Sequence, residues 1–108
     1  MNKVIKIILS AIAAIVVVVG LMGGLVFVHA KAYETTALTP PSLYFIEEDL
    51  ELVFMTTDLD VYEQEHEFDE FYCKVKAHGF KYKVRYSVHA LSLASFTWKY
   101  QNHIMINE

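Results

Sequence analysis

The densest set of potentially reactive side chains in this sequence is Glu63, Glu65, His66, Glu67 and Asp69. Carboxylates and an imidazole so close together are the raw material of a calcium site or of metal-assisted hydrolysis, because calcium gathers roughly six to eight oxygen ligands. The neighbouring Asp58-Leu59-Asp60 lacks the following Gly and closing Glu of an EF-hand loop. The cluster therefore reads first as a solvated acidic face. A small metal-dependent enzyme is the lowest-ranked alternative, and it requires Glu65, His66 or Asp69 to converge in a pocket.

Cys73 is the only cysteine, so no internal disulfide is available. It alternates with polar neighbours on what reads as the apolar face of a strand, where a thiolate is disfavoured. The histidines, His29, His66, His78, His89 and His103, fall in no H-E-x-x-H spacing. G-x-S-x-G, P-loop and G-x-G-x-x-G motifs are absent. These observations lead us to expect a non-enzymatic chain with no catalytic residue, no cofactor and no metal.

A second group, Lys74, Lys76, Lys81, Lys83 and Arg85, is basic and forms the candidate partner-binding set. Phe71, Cys73, Val75 and Ala77 alternate with Tyr72, Lys74 and Lys76. After His78-Gly79, Phe80, Tyr82, Val84 and Tyr86 alternate with Lys81, Lys83 and Arg85. A two-residue loop at His78-Gly79 pairs apolar with apolar throughout, and Gly supplies the positive φ such turns need. A slip of one residue would turn every side chain to the wrong face. The same register sets Lys76 opposite Lys81 and Lys74 opposite Lys83, which is destabilising unless something negative lies nearby.

Glu47 to Glu70 holds 11 acids and no Lys or Arg, whereas Lys74 to Lys99 holds 6 basic residues and no acids. We expect the acidic segment to lie across or beside the basic face. The alternative is that this face meets an envelope protein or an anionic polymer. From Lys31 onward the chain has 7 Lys and Arg against 13 Asp and Glu. Such a balance is a poor match for nucleic acid, whose binding relies on neutralising phosphates.

These groups sit on a mainly-β domain. Ala94, Phe96, Trp98 and Tyr100 alternate with Ser95, Thr97, Lys99 and Gln101, a further strand. Asn102-His103 reads as a turn or strand end. Leu43 to Met55 is ambiguous. Leu43, Ile46, Leu50, Val53 and Phe54 fit a helix face capped by Ser42. Leu50, Leu52 and Phe54 alternate as a strand would, with Glu48-Asp49 as a turn, and strands are preferred. Residues 43–108 form the expected domain, a small antiparallel sheet or meander with one face packed.

Residues 7–28 carry no Asp, Glu, Lys or Arg. As a helix they reach about 33 Å, enough to cross about 30 Å of hydrocarbon. Lys3 and Lys6 precede this segment, which predicts residues 1–6 on the cytoplasmic side and the C-terminal domain outside. Residues 29–42 are expected to be a linker stiffened by Pro40-Pro41. The expected architecture is therefore a single transmembrane helix plus a small extracytoplasmic β domain, with the lipid bilayer as a partner.

The rival reading is a signal peptide cleaved near Ala30 or Ala32, releasing a secreted small binding or inhibitor-like protein. The apolar run is longer than signal peptides usually have. Within the span, Ser10, Ala13, Val17, Gly20 and Gly24 share one narrow face that includes a G-x-x-x-G spacing. Small residues let helices approach closely in lipid, so this stripe is the candidate for self-association. Function is expected to be that of a membrane-anchored interaction or accessory module.

Overall fold

Between Lys6 and Lys31 nothing charged, and no proline, interrupts helix formation. The computed structural model describes residues 2–108, and α1 is one helix over Lys3–Leu38. Asn2 caps it, its side chain accepting from the Val4 N–H at 3.1 Å. The helix is long and apolar enough to cross a membrane, with a mean hydropathy of 2.9 over its most apolar 18 residues, none of them buried in the protein.

The helix does not end with its apolar run. It continues through Leu38, across most of the segment expected as a linker. His29 to Leu38 contains no Gly or Pro, and these last turns pack on the sheet described below. Only at Thr39 does the backbone become extended, because Pro40 disfavours helix at the residue before it.

Residues Leu43–Phe54 are a helix, α2, and not the pair of strands expected there. Ser42 Oγ accepts from the Phe45 N–H at 3.2 Å. Ile46, Leu50 and Phe54, four apart, lie on one face and are buried. The apparent alternation of Leu50, Leu52 and Phe54 misleads, because Leu52 is 80% exposed. Met55 ends the helix in the left-handed region at φ 53°, and the Thr56 N–H returns to the Glu51 carbonyl at 3.2 Å.

The four strands β1 (Leu59–Glu67), β2 (Glu70–Ala77), β3 (Phe80–Ser92) and β4 (Ser95–Ile106) form an antiparallel meander in the order β1-β2-β3-β4. The β2–β3 register pairs Ala77 with Phe80, Val75 with Tyr82, Cys73 with Val84 and Phe71 with Tyr86, as the alternation predicted. His78 and Gly79 both have positive φ, 53° and 79°, the geometry of a tight hairpin loop. Asn102-His103 is not a turn; β4 runs through it, with a register shift opposite Arg85 and Tyr86.

One sheet face carries the core. Phe71, Cys73, Val75, Ala77, Val84, Tyr86 and Trp98 are buried against Ile46, Leu50 and Phe54 of α2. Tyr86 is fully buried, and its hydroxyl donates to Asp49 Oδ2 at 2.8 Å. The same face continues beyond α2 as Val88, Phe96 and Trp98, where the last turns of α1 cover it. β3 and β4 also outrun β2. The last β2 pairing is Glu70 with Ser87, and Val88 to Ser92 continue with β4 alone. This two-stranded arm extends about 16 Å further, at about 3.3 Å per residue. Its turn, Leu93-Ala94, is the tip end of the sheet; His78-Gly79 is the far end.

Candidate functional site

All five candidate basic residues lie on the sheet face opposite the core. Lys74 faces Lys83 and Lys76 faces Lys81, the like-charge pairs that alternation predicted. The relief is mostly local. Lys74 Nζ lies 2.7 Å from Glu63, which stands on a bulge of β1, and also pairs with Glu108. These two carboxylates, Glu108 foremost, hold the Lys74 ammonium well above its ordinary pKa. Glu108 is lowered in return by Lys74, with the Tyr62 hydroxyl donating to its other oxygen at 3.1 Å.

A second group sits one row along. Glu70 accepts from the Tyr72 hydroxyl at 2.7 Å and from Arg85 Nη2 at 2.5 Å. The Tyr72 hydrogen bond and then the Arg85 guanidinium hold the Glu70 carboxyl below the usual range. Lys83 Nζ lies 5.0 Å from the centre of the Tyr72 ring, a cation–π contact. Lys76 stands opposite Asp60 across β1 and β2. Among the described residues Lys76, Lys81 and Lys83 make no ion pair, and Lys76 and Lys81 also lack the aromatic contact that Lys83 has.

The acidic segment is therefore divided. Its β1 portion lies beside the basic strands, as expected. Glu47, Glu48, Asp49 and Glu51 instead ride on α2, on the other side of the sheet. There Glu48, Glu51, Leu52, Met55, Thr56 and Thr57 line an open groove with no converging chemistry.

The residues considered for metal or hydrolytic chemistry do not gather. Glu63 turns to Lys74, Asp69 accepts from the Tyr33 hydroxyl at 2.8 Å, and His66 faces the core side of the sheet. Among the described residues no three His, Cys, Asp or Glu side chains converge where a metal ion could sit. Cys73 is buried, and burial pushes its thiol up to about 12.

The histidines do structural work that their spacing in sequence did not reveal. His66 Nε2 donates to the Ala37 carbonyl at 2.7 Å, and His78 Nε2 to the Phe54 carbonyl at 2.6 Å. Trp98 Nε1 donates to the Thr39 carbonyl at 2.9 Å. The final carbonyls of a helix lack partners within it and carry the negative end of its dipole. The sheet thus caps the C-termini of both helices and fixes α1 to the domain. His29 Nδ1 donates to the Leu93 carbonyl at 3.1 Å and its ring packs edge-on against Phe96 at 5.0 Å. Tyr33 packs on Phe96 and Phe68 at 5.3 and 6.1 Å.

On α1, Ser10, Ala13, Val17, Gly20 and Gly24 form one exposed stripe, and a Cβ at Gly20 or Gly24 would meet nothing within 4 Å. Sequence patterning missed the exposed apolar side chains of the sheet: Leu91 and Leu93 at its tip, 69% and 66% exposed, and Ile104 and Met105 in the other half of β4. The geometry defines a class of architecture: one apolar helix docked by its C-terminal turns to a four-stranded meander that a second, short helix covers. No family model matches the chain, and neither curated proteins nor solved structures yield a match.

Proposed function

We propose that this chain is a non-enzymatic, membrane-anchored interaction module. Its apolar helix spans the bilayer, its N-terminus is cytoplasmic, and its sheet domain is presented outside. The observation that carries this reading is the continuity of α1. Its apolar part is nowhere buried in the protein, while its last turns are bound to the sheet by His29, Tyr33, His66 and Trp98. The helix thus serves the domain as a fixed post and not as a leash. Cleavage after Ala30 or Ala32 would remove the His29 contacts to Leu93 and Phe96, which favours the uncleaved form.

The surface offered to a partner is the basic sheet face. Lys74, Lys83 and Arg85 are engaged within the chain, which leaves Lys76 and Lys81 to meet an acidic envelope protein or an anionic polymer. Self-association along Ser10, Ala13, Val17, Gly20 and Gly24 belongs to the same proposal. Photo-crosslinking from positions 76 and 81 of the full chain in intact membranes tests it. The expected result is a discrete adduct that disappears in the Lys76→Glu, Lys81→Glu variant. No adduct at all, or a mature chain beginning near Lys31, would contradict it.

A further inference from the structure

We propose that the β3–β4 arm is a second membrane contact, its tip inserting Leu91 and Leu93 into the interfacial layer of the outer leaflet. This rests on the reading of α1 as a bilayer-spanning helix.

The first support is position. Val28 ends the apolar segment, and His29, the next residue, donates its hydrogen bond to the carbonyl of Leu93. The turn of the arm therefore lies level with the point where the helix leaves the hydrocarbon. The interfacial layer on each side of the core is about 5–7 Å thick. Tyr33, four residues on, is about 6 Å further out; its ring packs on Phe96 and Phe68 and its hydroxyl donates to Asp69. An aromatic ring cluster at this depth matches the aromatic enrichment of membrane interfaces.

The second support is composition. From Tyr86 to Trp98 there is no Asp, Glu, Lys or Arg. The same strand β3 carries Lys81, Lys83 and Arg85 in its other half. Charge is absent from the arm, the part of the sheet nearest the end of the span; it is also absent from Tyr100 to Asn107, in the other half of β4. The turn itself is also unusual. Tight turns favour Gly, Asn and Asp, and this one is Leu93-Ala94, flanked by Leu91 and by two serines small enough to enter a headgroup layer. Leu91 and Leu93 touch no core, so burial in the fold does not account for them. Burial of an apolar face by about 5–10 Å at the headgroup–acyl boundary does.

A post with a single attachment leaves the domain free to tilt with its helix. Two attachments, α1 and the arm, would set the domain's height and rotation and turn the basic face sideways, across the membrane plane.

The test uses the full chain in phosphatidylcholine vesicles, with an environment-sensitive fluorophore on single cysteines at Leu91→Cys, Leu93→Cys, Val18→Cys and Thr57→Cys. Buried Cys73 stays unlabelled, which the parent chain controls, and Trp98 emission reports that each variant is folded. The expected result at 91 and 93 is a blue-shifted emission, strong quenching by lipids bearing a nitroxide near the headgroup, and iodide quenching several-fold weaker than at 57. Ready iodide quenching at 91 and 93, with position 18 deep in the bilayer, overturns the arm contact and spares the anchor. Iodide access at 18 overturns both. Shielding from iodide without quenching by nitroxide lipid means that a second copy covers the tip, and it also overturns lipid insertion.

Discussion

Strand β3 belongs to two hairpins that differ in almost every chemical respect. Toward the far end it pairs with β2, carries Lys81, Lys83 and Arg85 half-buried on its outer face, and turns through His78-Gly79. Toward the tip end it pairs with β4 alone, carries no charge, and turns through Leu93-Ala94. The first hairpin is covered by α2 and the second by the last turns of α1. The sheet is thus divided along its length: one half has a core of its own with α2, and the other holds the last turns of α1.

The comparison is broken most severely by emptying the far-end core. Leu50 is fully buried, and deleting such a side chain to Ala costs about 2–5 kcal/mol. Leu50→Ala should lower the unfolding free energy of the full chain in micelles by that amount, read from denaturation followed by Trp98 fluorescence, and should leave the helix of α1 intact by circular dichroism.

Trp98→Phe tests the other half. It keeps an aromatic ring but removes the donor to the Thr39 carbonyl, and a lost hydrogen bond of this kind costs about 1–2 kcal/mol. We expect that loss together with faster hydrogen exchange at Thr35 to Leu38, and little change at α2. Equal effects at both helices would erase the division.

The far-end hairpin was legible because two periodicities agreed. Apolar alternation on both sides of His78-Gly79 admitted one register, and Gly79 at positive φ made the turn cheap. α2 was not legible, since Leu50, Leu52 and Phe54 satisfy a strand as well as a helix. What decided it was the burial of Ile46, Leu50 and Phe54 together against Phe71 and Val75, a tertiary fact. The extension of α1 was hidden for a like reason. Ala, Thr and Tyr read as a polar linker, and only the sheet's donors to Ala37 and Thr39 reveal why these turns stay helical. The basic candidates were placed on one face correctly. That Lys74 and Arg85 are occupied while Lys76 and Lys81 are free depends on Glu63 and Glu70, whose positions follow from a bulge and a turn that no alternation announces.

A smaller effect sharpens the far end. Met55 is 87% exposed at φ 53°, and an L-residue there carries a strain of about 1–2 kcal/mol that Gly avoids. Part of that gain returns as unfolded-state entropy, so Met55→Gly should stabilise the domain by about 0.5–1 kcal/mol in the same denaturation experiment.

The smallest effects come from the exposed ion pairs. Glu70 and Glu108 have folded-state pKa values below their ordinary 4.5. Their contribution is fully present above 4.5 and is lost as pH falls through the lowered values. Melting temperature should therefore decline as pH is lowered below 4.5, and Glu70→Gln should flatten part of the decline. Lys74→Glu with Lys83→Glu should lower the melting temperature at neutral pH, because Glu63 and Glu108 would then face like charge. An unchanged melting temperature would show that the basic face is not held by its own acids.

The role proposed for the domain stands on the placement of α1. Single cysteines at Asn2 and Thr57 of the full chain, in sealed right-side-out vesicles, can be challenged with a membrane-impermeant maleimide. A bilayer-spanning α1 gives labelling at 57 from outside, labelling at 2 only after permeabilisation, and a chain of full length that alkaline carbonate leaves in the membrane. Release by carbonate, or equal labelling of both positions before permeabilisation, would contradict it.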